Sequence, residues 1–388
     1  MIFERRVDRR KLVAAGALAL LGACTMVPKA PPPTDTGPAQ PPEPTPGLPT
    51  DVARHRVALL VPMAGANSAV GQSIANAATM AILDTNAQNL RVTTYDTSAG
   101  AAEAAKRAVA DGNKLILGPL LSDDIPAVAA VARPAKVPLI SFSNDAGSAT
   151  KDVFIMGNLP GQSVRRTVSY AAGKGVRSFA ALVPRGEYGD RVSKELVSAV
   201  RAGGGAVAAM EAYDRTNTSI VSAARRLREK GGFDAVLIAD GGAISARAAL
   251  QIKPQAGAAS PRILGTELWG GEKDVTSTPA LTGAWFATVS DKNFGQFSKS
   301  YRSRFGAQPY RIATLGYDAV LLSLRVARDW KPGSDFPLRN LVDSGGFLGL
   351  DGPFRFDASG VIERALEVRE VVPGNVQVVS PAPARFGG

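Results

Sequence analysis

Residues 56–61, Arg-Val-Ala-Leu-Leu-Val, form a short aliphatic run that passes through Pro62 and a loop of small residues into an Ala-rich stretch from Ser68 to Asn86. The run predicts a buried strand and the stretch predicts a helix, the two parts of a βα unit. The same alternation continues toward the C-terminus. Leu90 to Asp96, Lys114 to Leu117 and Val137 to Ser141 read as further strands, with helices over Ala101 to Asp111 and Ser122 to Ala132 between them. A second series starts near Gln162: helix to Gly173, strand Phe179 to Val183, helix Tyr188 to Arg201 and strand Val207 to Tyr213. It goes on with helix Ser219 to Lys230, strand Ala235 to Ala239, helix Ala243 to Ile252 and strand Arg262 to Gly265. Strands covered by helices on both faces need continuous aliphatic runs, so the pattern predicts an α/β protein with parallel sheets. Two series of similar size predict two Rossmann-like lobes.

Composition narrows the chemistry. The chain has 388 residues, 45% hydrophobic and 20% charged, which excludes a disordered, collagenous or disulfide-stapled protein. One Cys and one His exclude Cys-based zinc sites and His clusters, so neither a metal nor a cofactor is expected. The formal charge is +11; removing the five basic and two acidic groups of residues 1–23 leaves +8. A surplus of that size favours anionic partners in general. The basic residues are dispersed, without a run interleaved with aromatics, so no nucleic-acid partner is expected.

The N-terminus has a charged region through Lys11, an apolar run Leu12 to Leu21 too short to span a bilayer, and small residues ending at Cys24. Leu21-Gly22-Ala23-Cys24 resembles the lipobox of bacterial lipoproteins. The resemblance implies cleavage after residue 23, lipidation of Cys24, and membrane attachment through the lipid. Thr25, where inner-membrane retention signals of that class place Asp, points to the periplasmic face of the outer membrane. Residues 24–54 are rich in Pro and nearly free of aliphatic side chains, which predicts an extended, coreless stalk after the anchor.

Gly118-Pro119-Leu120-Leu121-Ser122, Val137-Pro138-Leu139-Ile140-Ser141, Gly316-Tyr317-Asp318-Ala319-Val320 and Gly352 to Gly360 resemble segments of type I periplasmic binding proteins, the Leu/Ile/Val-binding-like superfamily. Within it, residues 118–122 and 141–145, joined to the lipobox and stalk, are most similar to lipoproteins of the penicillin-binding protein activator type. The resemblance implies two lobes joined by three crossovers. These are expected near Asn158 to Gln162, Ala284 to Phe294 and Lys331 to Gly346. Lobe one would hold residues 55–158 plus 295–330, and lobe two 159–283 plus 347–380.

Ligands of parallel sheets bind beyond the carboxyl ends of the strands, so the loops there carry the candidate residues. The resemblance implies that hydroxyls of lobe one hold a ligand and a lobe-two carboxylate takes its ammonium. Matching positions are Ser68, Ser122, Ser141, Ser143 and Asn144 in lobe one, and Tyr188, Asp240 and Glu267 in lobe two. Each has a plainer alternative. Ser122, followed by two acids and an early Pro, suits a helix N-cap; Ser141 to Asn144 suit a turn; the lobe-two acids suit solvated loops. Asp123 and Asp124 match the positive end of their helix already, so an arriving ligand carboxylate would be repelled there.

No catalytic set emerges. His55 precedes the first strand as a linker residue, Gly203-Gly204-Gly205 follows a helix and terminates it, and Asp123 beside Asp124 diverge on a helix too far to flank one bond. The expected role is therefore non-enzymatic binding. Resemblance implies an envelope interaction module acting on penicillin-binding proteins or peptidoglycan. The alternative is a substrate-binding receptor that delivers an amino acid or other small polar ligand, held in the interlobe cleft, to an ABC transporter.

Overall fold

Fifteen strands and ten helices follow one another in the described residues of the computed structural model, which are 53–216, 218–253 and 260–386. Cys24, the signal and the stalk expected before residue 53 lie outside them. The first series is β1 (His55–Val61), α1 (Ser68–Thr85), β2 (Leu90–Asp96), α2 (Ala101–Ala110), β3 (Leu115–Leu117), α3 (Ile125–Ala132), β4 (Leu139–Ser141) and β5 (Val153–Ile155). The second is α4 (Pro160–Gly173), β6 (Ser178–Pro184), α5 (Glu187–Ala202), β7 (Ala206–Tyr213), α6 (Ser219–Lys230), β8 (Ala235–Ile238), α7 (Gly242–Ile252) and β9 (Arg262–Gly265). After it come α8 (Lys273–Ser277), β10 (Trp285–Thr288), α9 (Phe294–Phe305), α10 (Thr314–Val326), β11 (Phe347–Gly349), β12 (Gly352–Phe356), β13 (Ile362–Arg364), β14 (Glu367–Val372) and β15 (Asn375–Ser380).

Two sheets define two lobes. Lobe one has the order β2-β1-β3-β4-β5, all parallel. Lobe two has the order β15-β14-β10-β9-β8-β6-β7, parallel from β10 to β7 and antiparallel at the β14 and β15 edge. The aliphatic runs fill the cores as their composition demands: Val57 to Val61 and Leu115 to Leu117 are buried in one, Phe179 to Val183 and Ala235 to Ile238 in the other. Burying a side chain of this kind is worth about 1.5–3 kcal/mol, so these short strands, not their exposed helix faces, hold each lobe.

The two lobes start with the same βα turn. In each, a glycine in the first turns of the helix presses against the carbonyl of a proline at the strand end. A Cβ on Gly71 would stand 1.8 Å from the Pro62 oxygen, and one on Gly189 would stand 1.7 Å from the Pro184 oxygen. Only glycine lets the helix start this close to its strand.

Three expectations change. Residues 285–288, expected inside the second crossover, form β10 in the middle of the lobe-two sheet, so the chain leaves that lobe only after Thr288. Residues 347–364, expected in lobe two, form the separate sheet β11-β12-β13, and Phe354, Phe356 and Ile362 pack into the lobe-one core beside Phe154 and Leu322. A bridge from Val361 to Ile155 joins these hairpins to the edge of the lobe-one sheet. The third crossover therefore falls at Ala365 and Leu366, just before β14. His55 is no linker residue: it begins β1, is 3% exposed, and stacks on Trp330 with ring centroids 4.2 Å apart. Burial lowers its pKa.

Candidate functional site

The lobe-one loop after β4 folds on its own polar groups. Ser141 Oγ donates to the Pro119 carbonyl at 2.8 Å and accepts from the Ser143 N–H. Ser143 Oγ accepts from the Asp145 N–H, and Asp145 Oδ1 from the Gly147 N–H. Three side chains thus each take an amide two residues on, the turn chemistry of Ser and Asp. Ser141 is fully buried and Ser143 nearly so, while Asn144 is exposed at the tip. Ser68 is half-buried at the start of α1, its N–H donating to the Gly65 carbonyl. The N-cap expected at Ser122 is not formed. Leu121 takes that position on a short turn of 3₁₀ helix, and the Ser122 hydroxyl reaches only Asp123, at 3.4 Å. Inserting this turn before α3 moves Ser122 too far from the first free amides of the α-helix.

The lobe-two wall is a connected network. Tyr188, at the start of α5, donates through its hydroxyl to Glu267 Oε1 at 3.1 Å and lies 3.0 Å from Thr266 Oγ1. Burial and the Glu267 charge push the Tyr188 hydroxyl pKa far up, so it stays protonated and a donor. Asp240, after β8, accepts from Tyr213, from Arg215 Nε at 2.8 Å and from the Gly241 N–H at 2.9 Å. Its backbone carbonyl accepts from Trp269 Nε1 and Ser245. Arg215 in turn lies over the Tyr188 ring, 5.2 Å from its centroid. The three lobe-two residues read from the sequence therefore meet: Tyr188 holds Glu267 directly, and Asp240 reaches Tyr188 through Arg215.

Glu267 differs from the rest. The residue is partly exposed, yet its Oε2 is sealed from solvent and has no hydrogen-bond partner. Burial pushes its carboxyl up to about 7. It borders a cavity of about 40 Å³ at the crossovers, room for a few water molecules, together with Asn158, Ser163, Thr288, Arg311 and Arg364. Asn158 Oδ1, on the first crossover, is also buried and unpartnered. Two free acceptors thus line one small polar cavity, together with Arg364, whose Nε and Nη1 are likewise buried and without a partner.

A larger cavity of about 880 Å³ opens between the lobes beside it, walled by Asn144 to Gly147, Asp357 and Val361 to Glu363 from lobe one and by Arg165, Arg191 and Lys194 from lobe two. Arg191 closes one side: its Nη2 lies 3.1 Å from Asp145 and 2.8 Å from Glu187. Of the eight expected contact residues, Asn144 borders this cavity and Glu267 the smaller one. Sequence reasoning passed over Arg191 and Arg215. The spacing from Glu187 to Arg191, one helical turn, was the available signal for the first.

Paired parallel α/β lobes, three crossovers and polar loops meeting between them define a two-lobed binding protein. The chain belongs to the periplasmic binding protein family, whose model matches residues 55–375, and its fold is that of the type I, Leu/Ile/Val-binding-like members. A candidate branched-chain amino acid ABC transporter protein of Rhodospirillum rubrum superimposes with a TM-score of 0.74 at 20% identity, covering 84% of this chain and 100% of that one. The branched-chain amino acid transporter substrate-binding protein LivJ of Streptococcus pneumoniae, solved with isoleucine, superimposes with a TM-score of 0.62 at 21% identity, covering 84% of this chain and 100% of that one. Among curated sequences, the uncharacterized protein RP748 of Rickettsia prowazekii (strain Madrid E) is 27% identical over 173 residues, 44% of this chain and 46% of that protein. The match thus spans about half the length of that relative.

Proposed function

We propose that the chain is a non-enzymatic solute receptor of the cell envelope that holds a small polar ligand, an amino acid or another amine-bearing solute, between its lobes and delivers it to an ABC-type permease. One observation carries this reading: Glu267 presents a buried carboxylate oxygen without a partner at the end of β9, where ligands of parallel sheets bind. Tyr188 fixes the other oxygen, and Asn158 offers a second free acceptor in the same cavity. A ligand ammonium satisfies both acceptors and relieves the burial of the charge. The solved neighbours named above are transport proteins, which supports a receptor over a stimulator of peptidoglycan synthases.

Lipidation of Cys24 completes the reading by tethering the receptor to the periplasmic face of an envelope membrane, with several acyl chains giving stable attachment. Labelling with radioactive palmitate, lost in Cys24→Ser, tests the anchor. Thermal unfolding against amino acids, amines and sugars tests the receptor. A true ligand stabilises by about 2.7 kcal/mol at a hundredfold excess over its Kd. Absence of stabilisation by every solute class would end this reading.

A further inference from the structure

We propose that residues 381–386 form a strap between the lobes, anchored on lobe one by Phe386, which limits how far the lobes swing apart. The inference goes beyond the receptor reading and does not depend on it. It starts where β15 ends. This strand is the edge of the lobe-two sheet, and Pro381 has no amide N–H with which to extend its ladder. Arg166 of α4 fixes that point. Its Nη2 donates to Ser380 Oγ at 2.6 Å and its Nε to the Leu366 carbonyl at 3.3 Å, so the root of the tail is tied to the third crossover. Pro381 and Pro383 leave the next residues few conformations, and the chain then bends over residues 384–386.

The far end of the tail rests on the other lobe. Phe386 is half-buried, and the Arg355 guanidinium lies over its ring, 4.7 Å from the centroid. A Cβ on Gly346 would stand 3.2 Å from Phe386 Cδ2, so the ring also lies close to that backbone. Arg355 is on β12 and Gly346 directly precedes β11, in the hairpins that pack on lobe one, and Glu363 holds Arg355 at 2.7 Å. The tail thus joins the edge of one lobe to the hairpins of the other without using a crossover. It does not lie flat. A cavity of about 590 Å³ separates it from α4 and the third crossover, walled by Arg165, Arg166, Leu366, Pro381, Pro383 and Phe386. That slack lets the lobes rotate before the strap tightens. One aromatic contact with a cation is small against the stability of a lobe, but hinged lobes exchange between states of similar free energy, and against that difference it is large.

Distances between two spin labels, measured by pulsed electron resonance without any ligand, test this. The labels sit on Glu103→Cys in lobe one and Arg201→Cys in lobe two, both exposed positions, in the full chain carrying Cys24→Ser. Ending the chain after Ser380 should broaden the distance distribution by about half, and Phe386→Ala should do the same with the tail still present. Phe386→Tyr, which keeps the ring over Arg355, should match the parent. Thermal midpoints should be unchanged in all of them. Identical distributions in the parent, the shortened chain and Phe386→Ala overturn the inference. Broadening in the shortened chain alone overturns Phe386 as the anchor. Broadening that appears only with a lowered midpoint overturns the strap, because the tail would then support the fold of a lobe and not the angle between two intact ones.

Discussion

Arg191 Nη2, on the second turn of α5 in lobe two, stands 3.1 Å from Asp145 Oδ1, in the loop that follows β4 of lobe one. Both side chains are about one quarter exposed, and Arg191 also holds Glu187 one turn back on its own helix. The Arg191–Asp145 pair links the two lobes at one side of the larger cavity. Partly exposed pairs of this kind contribute little to folding, about 1 kcal/mol or less. Their effect on the angle between lobes is larger, because hinged lobes exchange between states separated by small free energies. Arg191→Ala should leave the denaturant midpoint nearly unchanged and increase the radius of gyration of the ligand-free protein in small-angle scattering. An unchanged radius would show that the pair does not set the opening.

Glu267 makes stability depend on pH. Its carboxyl pKa is raised to about 7 in the folded state against about 4.5 unfolded, so the folded protein binds the extra proton between those values. The folded state therefore loses stability as pH rises from about 4.5 to 7, and the loss is complete above that range. The groups packed around Glu267 are Tyr188, Ser163 and Thr266, with Arg311 and Arg364 across the cavity. Glu267→Gln removes the penalty. At pH 8 it should raise unfolding stability by on the order of 3 kcal/mol, and at pH 4 it should change little. Urea unfolding of both proteins at the two pH values checks the sign. The buried Asp318 shifts in the same direction, and the comparison with the variant cancels it.

Asp240 was expected to meet a ligand, but its oxygens already serve Tyr213, Arg215 and the Gly241 N–H. Asp240→Ala should cost about 1–3 kcal/mol of stability, since the Tyr213 hydroxyl loses its acceptor in a buried site. Arg215 would also lose its anchor over the Tyr188 ring. Ligand affinity should then fall less than in Glu267→Gln. Chemical denaturation and calorimetry on the same preparation separate the two effects; a larger loss of binding than of stability would return Asp240 to the contact set.

The strands and helices of the two series, the three-residue β5 apart, were legible because each is decided locally, by runs such as Phe179 to Val183 and by glycine and proline punctuation. What lay between distant segments was not. Phe354 and Phe356 alternate as a half-buried strand should, and alternation says that one face is covered without saying by which lobe. Trp285 to Thr288 is a four-residue strand with no helix of ten residues before it, so it carried no βα signature. At the site, the residue types at Tyr188 and Glu267 pointed to recognition, but the sharing of Glu267 between a bonded and an unbonded oxygen depends on residues 79 positions apart. Arg215 and Asp240 are separated by 25 positions, and no spacing rule links them.

The matched prolines and glycines at the head of each lobe give a last test. Gly71 and Gly189 face the carbonyls of Pro62 and Pro184 at distances that no Cβ tolerates, so alanine at either place must displace the helix or the loop. Overpacking of this kind costs about 1–3 kcal/mol. Gly71→Ala and Gly189→Ala should therefore destabilise by similar amounts in denaturant unfolding. Their effects on binding should differ. Gly189 is the neighbour of Tyr188, so shifting α5 moves the hydroxyl that fixes Glu267 Oε1, and Gly189→Ala should weaken ligand binding beyond its effect on stability. Gly71 lies on α1, one turn past Ser68, in the lobe that adds no charged group at that loop. Its variant should bind an amine nearly as well as the parent at temperatures where both are folded. Equal losses of binding in the two variants would mean that the Tyr188–Glu267 pair does not position the ligand.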